Sequence, residues 1–230
     1  LYVETVVRLP HTRLCMSPPQ VSELPAAPPV LQNGFITFGC FQTLPKINAG
    51  VLAAWAQILN ACPQARLRLQ APQLNDEGQR ARFTGRLQAA GIDADRVDLL
   101  GPVSRELYLS SYNAVDILLG TFPYPGGTTT AEALWMGVPT LTLALPGMLG
   151  RQGQSMLENV GLHAWVTQSE ADYVQQAVAW GQGGADVCEK LQSLRSALRS
   201  EAAQSPLFDA PRFARDWWAT LQGLWREKMA

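Results

Sequence analysis

Charge is scarce in this 230-residue chain: Asp, Glu, Lys and Arg make up 16% of it, and 18 basic against 19 acidic residues leave a formal net charge of -1. There is no basic excess to neutralise a phosphodiester backbone or an anionic bilayer, which excludes nucleic acid and membrane as principal partners. Histidine is scarcer still, with only His11 and His163, and the four cysteines (Cys15, Cys40, Cys62 and Cys188) stand far apart without a C-x-x-C pair. That spacing argues against a zinc site, so no metal is expected. It suits buried reduced thiols and hence a cytoplasmic protein. No run approaches the ~18 apolar residues of a membrane span. The first residues also lack the basic segment, apolar run and small-residue cleavage site of a secretory leader. Internal repeats are missing, and nothing is of low complexity outside one proline-rich stretch. The chain opens on Leu1 in sequence that already reads as mid-domain, so a piece of a longer polypeptide is expected.

What is present is apolar: 47% of the residues are hydrophobic, enough for one substantial core with appended helices. From Ser17 to Pro29 the chain reads SPPQVSELPAAPP, whose prolines fix φ and remove backbone donors. Residues 1–33 are therefore read as the end of a preceding domain and a proline-rich linker, and 34–230 as the domain proper. Beyond the linker, GFITFGC at 34–40 is β-prone, and Ile47, Val51, Leu52, Trp55, Ile58 and Leu59 follow at helical spacing. The alternation continues with strands at 67–69, 97–100, 115–119 and 140–145, and with helices at 77–90 and 105–113 and over TTAEALWM, the first ending at Gly91 and the last stopping at Gly137. Helices near 151–160, 170–180, 186–202 and 211–228 complete the pattern. The expected fold is α/β, a Rossmann-like doubly wound and mostly parallel sheet with extra C-terminal helices. Phe213, Trp217, Leu221 and Trp225 recur at four-residue steps in the last helix, and spacing favours a face docked on the core over a binding platform.

The stretch richest in chemistry is GTFPYPGGTTTAEALWMGVP at 120–139, a glycine-rich turn between a buried strand and a helix start. Gly126 and Gly127 let backbone amides approach a ligand, and the amides of Thr129, Thr130 and Ala131 would face outward with the positive end of the helix dipole, an arrangement that suits a diphosphate. The competing reading is a capping box in which Thr129 and Glu132 satisfy each other's backbone donors, and spacing alone favours it. Neither G-K-[ST] nor G-x-G-x-x-G is present, so no P-loop site is indicated.

TFPYPGGTTTAEALWMGVPTLTL resembles the TFPYNG-TTT-EALWMGVP signature of bacterial O-GlcNAc transferase and SPINDLY-type glycosyltransferases. The segments at 5–19, 34–47, 54–69, 150–157 and 205–218 resemble further family segments in order, so the likeness covers nearly the whole chain. It implies the second Rossmann-like half of a GT-B enzyme, with tetratricopeptide repeats and the first half upstream, acting without a cofactor on a nucleotide sugar such as UDP-GlcNAc and a protein acceptor. By the same resemblance Lys46 holds the donor diphosphate and stabilises the leaving nucleotide, and Thr43 lies in the same loop. Thr128 and Thr129, with the amides behind Gly126 and Gly127, contact phosphate, and Glu132 accepts from ribose hydroxyls. Val103, Ser104 and Tyr108 frame the nucleobase. The acceptor-activating residues fall on the missing half, so the chain alone is expected to bind nucleotide without catalysing transfer.

Four departures from the family pattern stand out. Gly120 replaces an aspartate, Pro125 an asparagine, Gln70 a basic residue, and Gln42-Thr43 the N-N or N-Q pair ahead of the lysine. They leave open a related transferase using GDP-fucose or UDP-glucose, or a non-catalytic module that keeps only the fold.

Overall fold

The computed structural model of the chain describes residues 3–20 and 25–229. The readings made of Leu1 and of the middle of the proline-rich stretch, 21–24, lie outside the described residues.

Six strands form one sheet: β1 (Thr37–Cys40), β2 (Arg66–Gln70), β3 (Val97–Leu100), β4 (Ile117–Leu119), β5 (Thr140–Leu143) and β6 (Val166–Thr167). Their order is β3-β2-β1-β4-β5-β6 and every pairing is parallel, with Phe38 in register with Leu67 on one side and Ile117 on the other. The helices are α1 (Val30–Asn33), α2 (Ala49–Ala61), α3 (Glu77–Ala89), α4 (Arg105–Ser110), α5 (Thr128–Trp135), α6 (Gly147–Gly150), α7 (Gln152–Asn159), α8 (Glu170–Gly181), α9 (Ala185–Gln204) and α10 (Ala210–Met229). This is the doubly wound architecture the alternation predicts. The two-residue β6 carries no periodicity of its own and escapes sequence reading.

Continuous apolar runs mark strands covered on both faces. β4 shows how: Ile117 and Leu119 enter the main core, while Leu118, one residue out of phase, enters a second cluster with Phe41, Tyr112, Val115 and Met136. On α2 the sequence-spaced Val51, Leu52, Trp55, Ile58 and Leu59 are all buried, each worth about 1.5–3 kcal/mol in apolar burial. Helix starts are fixed by Asn48, Asp76, Ser104 and Ser169, whose side chains accept backbone amides of α2, α3, α4 and α8. Gly91 and Gly137 follow α3 and α5 at φ 80° and 73°, left-handed values that spare a Cβ clash only in glycine.

Asp116, the polar interruption ahead of β4, is fully buried. Its two carboxylate oxygens accept the Val30 amide at 3.0 Å and the Thr37 amide at 2.8 Å, tying α1 and β1 to β4. Arg195 of α9 is the buried countercharge, and its guanidinium also donates to the carbonyls of Ala26 and Val115. Through Ala26, Val30 and Arg195, the end of the proline-rich stretch is fastened to the domain.

Two expectations fail. The aromatic stripe of α10 does not dock on the core: no residue of that helix is buried, and Trp217, Trp218 and Trp225 are 50%, 62% and 66% exposed. Only its first turns, around Phe213, are half-buried, and the tryptophans beyond stay largely exposed. The capping box is not formed either. α5 begins one residue before Thr129, at Thr128, with Gly127 as a cap that lends no side chain, and Glu132 turns instead to Arg105 and Tyr112. Among the described residues no helix is long and apolar enough to cross a membrane.

Candidate functional site

The strand order places β1 beside β4, yet the chain leaves β1 toward β2 and leaves β4 toward β5. At that reversal the loops beyond the carboxyl ends of the two strands separate and open a crevice. A cavity of about 410 Å³ lies there, lined by Gln42, Thr43 and Lys46 from the β1 loop and by Tyr124, Gly127, Thr128 and Thr129 from the β4 loop and α5. The two loops are stitched by Asn48, which caps α2 and donates to the Phe122 carbonyl at 2.6 Å. Leu14, Met16 and Gln152 close the remaining wall. Gln152 is held by Arg13 at 2.5 Å.

Lys46 ends a short 3₁₀ turn, Leu44–Lys46, rather than starting α2. Its ammonium donates to the Gln42 Oε1 at 3.2 Å and the Pro125 carbonyl at 3.3 Å, and lies 3.8 Å from the centre of the Tyr124 ring. None of these is an anion. Partial burial holds the ammonium below its ordinary pKa, opposed only by the distant influence of Cys40. The cavity therefore presents a partly desolvated cation that no described residue pairs with an anion.

Opposite it stands the start of α5. The Gly127 carbonyl takes the amides of both Thr130 and Ala131, so these two do not face outward as the sequence suggested. The amides without a helical acceptor are those of Thr128 and Thr129, one step earlier, and they bring the helix's positive end to the cavity wall. Gly126 is buried behind them, where a Cβ would meet Gln42, Thr129 and Thr130. A Cβ on Gly127 would approach Gln152 Nε2 at 3.0 Å.

Glu132 lies one helical turn deeper, 3% exposed, with Arg105 at 2.6 Å and the Tyr112 hydroxyl at 3.3 Å. Tyr112 also donates to the Thr129 carbonyl and meets the Tyr108 hydroxyl at 3.1 Å, and Phe41 packs against both tyrosine rings. Burial raises the Tyr108 hydroxyl to about 12 and pushes the Tyr112 hydroxyl well above its ordinary value, so both remain protonated near neutral pH. Glu132 and Tyr108 thus belong to a cluster adjoining the cavity. Val103 and Ser104 lie outside its lining: Val103 is exposed and Ser104 caps α4. Gly120 has no room for the carboxylate the family pattern carries, since a Cβ there would lie 2.9 Å from the Leu141 carbonyl.

Sequence reasoning missed Arg105, Tyr112, Tyr124 and Gln152. Arg105 follows the Ser104 cap directly and had the signal of a cation at a helix start. Tyr124 and Gln152 lie within family-like segments, at 121–127 and 150–157, but only tertiary contact brings them, and Tyr112, to the site.

Residues 27–217 match the model of glycosyl transferase family 41. The probable UDP-N-acetylglucosamine peptide N-acetylglucosaminyltransferase SPINDLY of Solanum lycopersicum is 38% identical over 226 residues, which is 98% of this chain and 24% of that protein. Among solved structures, a mutant of the Thermobaculum terrenum O-GlcNAc transferase superposes with a TM-score of 0.79 at 35% identity, covering 95% of this chain and 42% of that one. HepE of Anabaena, solved with UDP and glucose, shares the fold at a TM-score of 0.56 and 18% identity over 84% of this chain and 51% of its own. The chain spans about a quarter of the length of the curated relatives it matches.

Proposed function

The chain belongs to glycosyl transferase family 41, and from that premise we propose that it is the donor-binding half of a GT-B protein glycosyltransferase that moves a sugar, GlcNAc from UDP-GlcNAc, onto a Ser or Thr side chain. The observation that carries the reading is the convergence of the uncompensated Lys46 ammonium and the first amides of α5 on one cavity. A pyrophosphate between them would meet a cation on one side and backbone donors on the other. The names of the relatives support the donor: they are peptide N-acetylglucosaminyltransferases.

In this scheme the bond between the sugar's anomeric carbon and the β-phosphate oxygen breaks as the bond to the acceptor oxygen forms. Negative charge builds on the departing diphosphate, where Lys46 and the Thr128 and Thr129 amides already stand. Thr43 and the Thr128 and Thr129 hydroxyls supply further donors. Because this chain provides the positive charge, the scheme needs no divalent ion and no cofactor. Glu132 takes the ribose diol as acceptor, for which Arg105 must share it, and Tyr108 with Val103 and Ser104 borders the base. The acceptor hydroxyl gives its proton to a group on the missing half, so the isolated chain binds donor and does not turn it over. That half, with tetratricopeptide repeats before it, is also what would cover the bare aromatic face of α10. Four unpaired cysteines fit a reducing, cytoplasmic setting.

Calorimetry with UDP and GDP tests the reading. UDP is expected to bind and Lys46→Ala to weaken it. GDP binding alone would move the assignment to a guanosine-linked donor, and the absence of both would overturn it.

A further inference from the structure

We infer that Gln42 is a positioning residue of this donor site: its amide fixes the Lys46 ammonium and turns the Thr129 hydroxyl into a donor aimed at the pyrophosphate. The inference rests on the reading of the cavity as a nucleotide-diphosphate site.

Gln42 is 7% exposed and lies between the two walls of the cavity. Its Oε1 accepts from Lys46 Nζ at 3.2 Å and its Nε2 donates to Thr129 Oγ1. The orientation follows from chemistry: an ammonium only donates, so the amide must turn its oxygen to Lys46, which commits its nitrogen to Thr129. The hydroxyl of Thr129 then spends a lone pair on Gln42, and its proton is left for another acceptor. Among the described residues none is found for it, and Thr129 lines the cavity.

Position 126 gives an independent sign of this link. A Cβ on Gly126 would run into Gln42 Nε2 and Thr129 Oγ1, the two atoms of that hydrogen bond. Glycine there makes room for the Gln42–Thr129 contact itself. Gln42 is also one of the positions where this chain departs from the N-N or N-Q pair of the family pattern, and the glutamine has the reach to span from the β1 loop to α5.

The test uses the 230-residue chain with UDP, inorganic pyrophosphate and uridine as probes. Gln42→Leu is expected to weaken UDP and pyrophosphate roughly tenfold, the loss of a hydrogen bond to a charged group, and to leave uridine affinity unchanged. In a Lys46→Ala background the same substitution should cost less than about half of that on a logarithmic scale, because the two side chains act as one unit. Gln42→Glu keeps the shape but sets a carboxylate against Lys46. It should weaken pyrophosphate at neutral pH and move the alkaline fall-off in UDP affinity upward, which a merely structural role would not do. If wild type binds UDP and both variants bind it as tightly, or lose uridine in equal measure, the inference is wrong while the site stands. If wild type binds neither nucleotide nor pyrophosphate, the reading of the site falls first.

Discussion

Asp116 and Lys46 sit at opposite ends of the same central strands, and the chain treats their charges in opposite ways. Asp116, ahead of β4, has an amide on each carboxylate oxygen and Arg195 as countercharge. Lys46, beyond β1, has two neutral oxygens and an aromatic face. Burial disfavours the charged form of both, raising the Asp116 pKa and lowering that of Lys46. Only the first is compensated by the protein's own donors. A charge whose valences the fold fills is part of the scaffold; one left facing neutral groups at a topological switch point is set for a ligand.

Breaking the compensated end should have the largest effect. Asp116→Ala strands the buried Val30 and Thr37 amides without an acceptor and removes the negative charge that offsets Arg195, which costs about 3–5 kcal/mol and should lower the melting temperature by roughly 10 °C in a domain of this size. A calorimetric melt within about 2 °C of wild type would erase the contrast. At the other end, Lys46→Met should reduce UDP affinity by roughly 10–100-fold without lowering the melting temperature, since it removes an unpaired cation.

The pH dependence sharpens the same point. Lys46 titrates below its ordinary 10.5 in the folded chain. Between the lowered value and 10.5 the unfolded state binds more protons, so the stability of the free domain gains from this group as pH rises through that window. UDP needs the charged form, so its affinity should fall across the same interval. Both trends are read as differences from Lys46→Met, where they should vanish. The smallest effect belongs to α10: Trp225→Ala should shift stability by no more than about 0.5 kcal/mol, as for an exposed side chain, whereas a core residue would lose about 3–5 kcal/mol.

Most of the fold was legible because strands buried on both faces and helices with one apolar stripe each impose a period on the sequence. Thr140–Leu143 and Val51–Leu59 show it plainly. The α10 stripe has the same period and misled, since periodicity reports that a face is apolar and not what covers it. At the site, Lys46 and the threonines were marked by the family motif. The motif did not show that Thr128 and Thr129, rather than Thr130 and Ala131, carry the available amides, because that depends on where the Gly127 carbonyl points. In sequence Glu132 fits a capping box or, by the resemblance, a ribose ligand; the structure leaves the box unformed and pairs Glu132 with Arg105 of α4, which sequence did not foresee.

The sequence by itself determined the alternation of strands and helices, the family, and the two loops that carry chemistry, all of them consequences of local periodicity and short-range motif. Only the tertiary structure decided that those loops, 79 positions apart at Lys46 and Pro125, face one cavity whose described lining holds no carboxylate. Strand order sets which loops become neighbours, and strand order arises from long-range packing that no local pattern encodes.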